Sequence, residues 1–107
     1  MKKKIDRPII VYVPEEDNDR VIEWGKNNEA LFHTAVVEGV VELLKKPKLT
    51  EVIIVEFFNS QNDRFPWSDI YVDRTDLKDS LLEAENYFVS VEDYEKAQWV
   101  KNYRDTF

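Results

Sequence analysis

The sequence predicts an α+β domain, a small mixed or antiparallel sheet of three to four strands with helices packed mainly on one face. Strand-like segments alternate with segments of helical periodicity in the order β-α-α-β-β-α-α. A length of 107 residues suits one hydrophobic core. The hydrophobic fraction of 43% is too high for a disordered chain. We therefore assign residues 5–107 to a single domain and residues 1–4 to a basic N-terminal tail.

Three segments have the composition of β-strands. Pro8–Pro14 is β-branched and aromatic between two prolines, Thr50–Phe58 is rich in apolar residues, and Asp69–Asp73 is shorter. The unbroken apolar run Val52–Val55 predicts burial on both faces and hence a central strand. We expect the second and third strands to pair antiparallel. The helices between the first and second strands allow a parallel pair through a right-handed crossover.

Capping residues and apolar spacing predict four helices. They are expected at Arg20–Trp24, from Asn27 or Asn28 to Lys46, from Thr75 onward, and after a capping-box-like Ser90-Val91-Glu92-Asp93. The third helix has an open end, because Tyr87–Val89 fits a short edge strand equally well. The second helix has an apolar arc wide enough for packing on more than one side. Gly39 in its middle costs about 1 kcal/mol relative to Ala, which predicts the close approach of another element.

The charge is unevenly distributed along the chain. Residues 63–95 carry ten acidic and three basic side chains, a net charge of −7, whereas residues 1–4 contain three lysines. A negative field of this kind repels phosphate backbones and disfavours direct nucleic-acid binding. It attracts a basic protein surface or groove. Ordinary solvated helix faces are the other interpretation of these acids.

The sequence lacks the residues that most catalytic mechanisms require. It contains no cysteine, a single histidine, His33, and two glycines. This composition excludes thiolate nucleophiles, Cys-based and His-pair metal sites, and a glycine-rich phosphate loop. We predict no catalytic residue, no metal ligand and no cofactor. His33 is expected to be structural, with Glu29 one turn earlier as an open acid–base partner.

A minimal carboxylate enzyme that uses a divalent metal, such as a nuclease or phosphohydrolase, is the alternative function. Its expected residues are Asp17, Asp19, Asp69, Asp73 and His33. A metal site needs carboxylates that converge from separate elements, whereas neighbouring side chains in the acidic loop 15–19 diverge. Capping of the following helix is therefore the competing explanation for that loop.

The segment Asn59–Ser68 is the most suggestive binding element. Its ten residues exceed a usual hairpin turn, and it carries Arg64, Phe65 and Trp67 around Pro66. Tryptophan and arginine are enriched among interface hot spots. The alternative is that Phe65 and Trp67 fold back and cover the edge of the sheet.

Together these features predict a non-catalytic acidic protein-binding module, an inhibitor or adaptor that acts on a protein with a basic surface or groove. Its expected binding residues are Arg64, Phe65, Trp67, Asp69, Asp73, Asp76, Asp79 and Glu83. The wide apolar arc of the second helix makes a homodimer a further hypothesis. No apolar run approaches the roughly 20 residues that cross a bilayer. We therefore expect a cytoplasmic protein without membrane contact.

In length, acidity, aromatic richness and lack of a catalytic set, the chain resembles small accessory proteins of phages and archaeal viruses. The resemblance covers the general character of the whole chain and matches no specific residues. Several such proteins bind and inhibit host-defence or nucleic-acid enzymes. The resemblance therefore implies an inhibitory role in a host cytoplasm and assigns no functional position.

Overall fold

The computed structural model describes residues 2–106, and the side chains of residues 8–106. Within residues 2–106 the elements are β1 (Lys2–Val13), α1 (Asn18–Asn27), α2 (Glu29–Lys45), β2 (Glu51–Asn59), β3 (Ser68–Asp73), a 3-10 turn (Arg74–Asp76), α3 (Leu77–Ser90) and α4 (Tyr94–Arg104). This arrangement confirms the predicted α+β fold with a small mixed sheet. Within the same range, no helix is both long and apolar enough to cross a membrane.

β2 is the central strand of the sheet, whose order is β1-β2-β3. It pairs antiparallel with β3, as the sequence predicts, and in parallel with β1, the pairing that the intervening helices allow. Val52, Ile54 and Val55 are fully buried. The strand is central because it is paired along both edges, whereas the helices cover one of its faces and Ile53 within the apolar run is only partly buried.

β1 begins earlier than the sequence predicts. The backbone of Lys2–Lys4, expected to be a tail, pairs in parallel with Glu51–Ile53 of β2. A shift of register between Lys4 and Ile9 accommodates Pro8, which has no amide hydrogen to donate. Bulges and prolines of this kind are tolerated at the edge of a sheet. The structure therefore corrects the predicted boundary, because Pro8 interrupts the strand without starting it.

The helices lie on one face of the sheet, as predicted. α2 contacts all three strands, α3 packs on α2, and α4 packs on α3. The close approach expected at Gly39 is confirmed: a Cβ atom there would lie 2.8 Å from Ile54 Cγ2 and 2.9 Å from Val72 Cγ2. Glycine is therefore required where α2 crosses the sheet, despite its low helix propensity.

The end of α3 decides one alternative that the sequence leaves open and corrects one local prediction. Tyr87–Val89, which also fitted an edge strand, lies in the last part of α3. The Ser90 hydroxyl donates to the Tyr87 carbonyl at 2.6 Å, so Ser90 ends α3 and does not open α4 with a capping box. Asp93 is the N-cap of α4, and its side chain accepts from the Lys96 amide at 3.2 Å.

Arg74 joins the end of α2 to the end of β3. Its Nε donates to the Leu49 carbonyl at 2.6 Å, and its Nη2 donates to the carbonyls of Leu43 at 2.7 Å and Lys46 at 2.8 Å. The last carbonyls of a helix lack intrahelical donors, and a cation suits the negative end of the helix dipole. Arg74 is thus a structural residue. The sequence identifies it only as one of three bases among ten acids.

Candidate functional site

A cleft of about 320 Å³ lies between α2, β3 and the first part of α3. We call it the acidic cleft, and its lining residues are Phe32, His33, Val36, Ile70, Tyr71, Val72, Asp73, Asp76, Ser80 and Glu83. The α2 residues form an apolar and aromatic wall, and the carboxylates come from β3, the 3-10 turn and α3. The volume falls within the range of ligand-binding pockets.

Three of the predicted binding residues, Asp73, Asp76 and Glu83, line the acidic cleft. None of its lining residues, all of which belong to the described part of the chain, is lysine or arginine. The cleft therefore carries three carboxylates without a lysine or arginine in its walls to compensate their charge. Such an arrangement attracts a cationic group and repels phosphate.

Asp73 is held as an ionised carboxylate at the end of β3. Its Oδ1 accepts hydrogen bonds from the amide of Thr75 and from the Thr75 hydroxyl, both at 2.9 Å. These two bonds, the amide bond first, lower the pKa of Asp73. Asp73 is also the N-cap of the 3-10 turn Arg74–Asp76, and α3 begins at Leu77, two residues after the predicted start at Thr75.

His33 belongs to the aromatic wall of the acidic cleft. Its ring stacks on Tyr87, with centroids 4.5 Å apart, and meets Phe32 and Phe88 at steep angles. Burial lowers the pKa of His33, and the nearby charges of Glu29 and Glu83 oppose this effect in part. The imidazole is therefore a largely neutral, packed ring at pH 7, and Glu29 acts on it as a nearby charge.

The lowered pKa of His33 predicts a pH-dependent stability. Between the folded-state pKa and the ordinary value of 6.5, the unfolded chain binds more protons than the folded chain. Stability is thus fully present above that ordinary value and is lost as the pH falls through it, until folded His33 is protonated too. Urea unfolding at about pH 7.5 and about pH 5.5 measures this loss. We expect a smaller loss in His33→Phe; an equal loss would assign the titration to other groups.

The other two predicted acids lie outside the acidic cleft. Asp69 stands on β3 opposite Glu56 of β2 and does not line the cleft. Asp79 is exposed on the first turn of α3 and does not line it either. The structure therefore brings together three of the five predicted carboxylates, and the spacing of residues along the chain did not distinguish them.

The predicted binding loop lies at the opposite end of β3 from the cleft acids. It runs into β3 at Ser68, whereas Asp73 is the last residue of the strand, about 17 Å away at an antiparallel rise of about 3.4 Å per residue. Arg64 is exposed, and Phe65 is 74% exposed. Arg64 and Phe65 thus lie on a different surface from the three cleft acids.

Trp67 departs from the other loop residues because it packs on the hydrophobic core. Its ring lies 6.2 Å from that of Phe57, centroid to centroid. Among the described side chains and backbone, its buried indole Nε1 has no hydrogen-bond acceptor. The alternative interpretation, in which the loop folds back on the sheet, therefore holds for Trp67 and fails for the exposed Phe65.

The buried indole nitrogen of Trp67 leads to a prediction about stability. Trp67→Phe keeps an aromatic ring on Phe57 and removes the donor, so we expect a free energy of unfolding within about 1 kcal/mol of the wild type. Trp67→Ala removes the ring and is expected to cost about 3 kcal/mol. Urea unfolding measures both. A Trp67→Phe loss as large as that of Trp67→Ala would show that the N–H group, and not ring packing, stabilises this loop.

Of the five residues expected for the alternative metal-dependent enzyme, His33 and Asp73 share the acidic cleft, and Asp17, Asp19 and Asp69 do not line it. Asp17 caps α1 and accepts from the Asp19 amide at 2.9 Å, as the competing explanation expects. Neither residue lines the cleft that contains His33 and Asp73. Across the described part of the chain, no group of three or more His, Cys, Asp or Glu residues is placed to hold a metal ion.

The acidic cleft also contains residues that are not among the predicted binding residues. Phe32 and Val36 belong to the wide apolar arc of α2, so part of that arc faces a cleft. The width of the apolar arc indicated that α2 contacts more than one surface, although it did not show that one of them is a cleft. Ser80 and His33 both line the cleft.

Comparison with protein-family models, with curated proteins and with solved structures finds no match for the chain.

Proposed function

We propose that the chain is a non-catalytic acidic protein-binding module that holds a basic segment of a partner protein in the acidic cleft. The observation that carries this proposal is the convergence of Asp73, Asp76 and Glu83 on one cleft with an aromatic and apolar wall. Lysine and arginine suit both parts, because the charged head group meets carboxylates while the aliphatic stem packs on apolar surface.

The charge of the whole chain supports a protein partner. A net charge of −7 steers basic surfaces towards the molecule and repels phosphate backbones. A module that covers a basic groove acts as an inhibitor where the groove is an active site, and as an adaptor elsewhere. The absence of cysteine supports a reducing compartment such as the cytoplasm for this interaction.

The test compares two variants with the same change in net charge. The cleft variant is D73N/D76N/E83Q, and the control variant, which neutralises three exposed acids outside the cleft, is D63N/E92Q/E95Q. Fluorescence anisotropy measures the binding of a labelled oligolysine peptide to each variant and to the wild type. Circular dichroism checks that all three proteins are folded, and asparagine preserves the capping role of Asp73.

We expect the wild type and the control variant to bind with similar affinity and the cleft variant to bind about tenfold or more weakly. This factor corresponds to three charge pairs at about 0.5 kcal/mol each. Binding should also weaken as the salt concentration rises. An equal loss in both variants would mean that only the overall charge matters, and no binding to the wild type would mean that the cleft holds no basic segment. Either result overturns the proposal.

A further inference from the structure

The acidic cleft runs along the backbone edge of a strand. Four consecutive residues of β3, Ile70–Asp73, line it. Successive side chains of a strand point to opposite faces, so a cleft confined to one face would touch alternate residues. Contact with four residues in a row places the cleft beside the backbone itself. Because the strand order is β1-β2-β3, this is the outer edge of the sheet.

The hydrogen-bond pattern shows which backbone groups face this edge. The Arg74 amide donates to the Thr50 carbonyl at 2.9 Å, which continues the ladder between β3 and β2. In an antiparallel ladder, the backbone groups of successive residues point alternately to the partner strand and away from it. Asp73, next to Arg74, therefore directs its N–H and C=O groups away from β2. An outer edge of this kind is a template for a further strand.

The helix layer flanks this edge and leaves space beside it. α3 packs on α2 and contacts β3, and the cleft of about 320 Å³ lies between these elements. A strand added to a sheet lies about 4.8 Å from its neighbour. Addition of an extended peptide to an exposed sheet edge is a recurring mode of recognition, in which backbone bonds supply affinity and side-chain pockets supply specificity.

The two faces of the sheet next to the outer edge of β3 are complementary to different side chains of an added strand. Val72 turns into the core and is 3% exposed, whereas its neighbour Tyr71 is 47% exposed on the opposite face, the face that Asp73 shares with it. An added strand places alternate side chains against Phe32 and Val36 of the helix layer. Apolar residues match these two side chains, and Glu83 of α3 lies on the same side, where it meets the end of a longer basic side chain. The intervening side chains lie beside Asp73, and basic residues match them.

We infer that the acidic cleft binds an extended segment of another protein, with alternating basic and apolar side chains, as a fourth strand beside β3. This inference rests on the proposed function and specifies the conformation of the partner. Charge complementarity favours such a partner over a second copy of this chain. The β3 strand of a second copy would bring its own Asp69 and Asp73 to the same edge, and like charges across strands repel.

Synthetic peptides of one length test the inference with the full chain. The parent peptide alternates lysine and valine, and a second peptide has the same composition with the lysines and valines in separate blocks. Two further versions of the parent carry N-methyl groups on the lysine amides or on the valine amides. Alternate amides of a strand point to opposite edges, so only one of these versions loses the hydrogen bonds to β3. Anisotropy measures affinity, and amide hydrogen exchange by NMR follows Asp73.

We expect the parent peptide to bind about tenfold more tightly than the block peptide, and one methylated version to bind about tenfold or more weakly than the other. A loss of one to two hydrogen bonds gives this factor. Exchange of the Asp73 amide should slow in the complex with the parent peptide.

The outcomes separate this inference from the proposed function. Equal binding of both methylated versions, with binding still lost in D73N/D76N/E83Q, would overturn strand addition and leave the proposed function in place. Equal binding of every peptide to the cleft and control variants would overturn both. Slower exchange of the Asp73 amide at high protein concentration without peptide, together with dimers in sedimentation, would identify the occupant as a second copy and overturn the inference.

Discussion

Arg74→Ala is expected to lower the free energy of unfolding by about 3 kcal/mol, the largest loss that we predict for a polar residue. The guanidinium group donates to three backbone carbonyls, two of which belong to the end of α2 and the turn after it. Without Arg74 these part-buried acceptors lose a charged donor, and the negative end of the α2 dipole loses its cation. Urea unfolding at pH 7 measures the loss.

Two comparisons identify the cause of this loss. Arg64→Ala removes the same charge from an exposed loop position and is expected to change stability by about 0.5 kcal/mol or less. Arg74→Lys keeps the charge, but a single ammonium group does not reproduce the planar fork that reaches three carbonyls, so we expect an intermediate loss. If Arg74→Lys is as stable as the wild type, charge alone is responsible and the hydrogen-bond geometry is unimportant.

Gly39→Leu is expected to lower the free energy of unfolding by about 3 kcal/mol, and Gly39→Ala by about 1 to 2 kcal/mol. Even a single Cβ atom would overlap the methyl groups of Ile54 and Val72, which are β-branched and stiff. α2 must then move away from the sheet, because neither strand side chain has a flexible end to shift. The gain in helix propensity of about 1 kcal/mol offsets only part of the overlap.

Gly25→Ala provides the matched control for Gly39. Gly25 lies within α1, which continues past it to Asn27, and a Cβ atom there meets nothing within 4 Å. The same substitution should therefore raise stability by about 0.5 to 1 kcal/mol through helix propensity alone. Thermal and urea unfolding of both alanine variants measure the opposite signs. A stabilising Gly39→Ala would mean that α2 does not approach β2 and β3 as closely as described.

The acids of residues 63–95 show where sequence-based prediction stops. Asp73, Asp76 and Glu83 line the acidic cleft, but Glu85 pairs with Arg104, Nε to Oε1, at 2.5 Å. Asp93 caps α4, and others are exposed outside the cleft. All ten contribute equally to a charge count along the chain. Some of these acids line the cleft, one forms an ion pair and one caps a helix. These locations depend on the orientation of α3 relative to β3 and α4, and a count of charges contains no information about that orientation.

The same limit explains the outcome for the predicted binding loop. Composition identified Phe65 and Trp67 as aromatic residues in a long loop, and it left both orientations open. Trp67 reaches Phe57 because β3 pairs antiparallel with β2 and returns the loop over the core, whereas Phe65 remains exposed. Phe65 and Trp67 are both aromatic and only two positions apart, but one is exposed and the other packs on the core. The pairing of β3 with β2 causes this difference.

The sequence by itself determined the α+β class, the central position of β2, its antiparallel pairing with β3, and the need for glycine at Gly39, and it allowed the parallel pairing with β1. These features follow from local patterns: an apolar run, helical spacing, connection length and the size of one side chain. Only the tertiary structure decided which acids share a cleft, that the cleft borders the outer edge of β3, and that Arg74 binds the end of α2. The Arg74 contacts join residues 25 or more positions apart, and the cleft joins α2 to β3 and α3. The geometry of both depends on strand register and helix packing together.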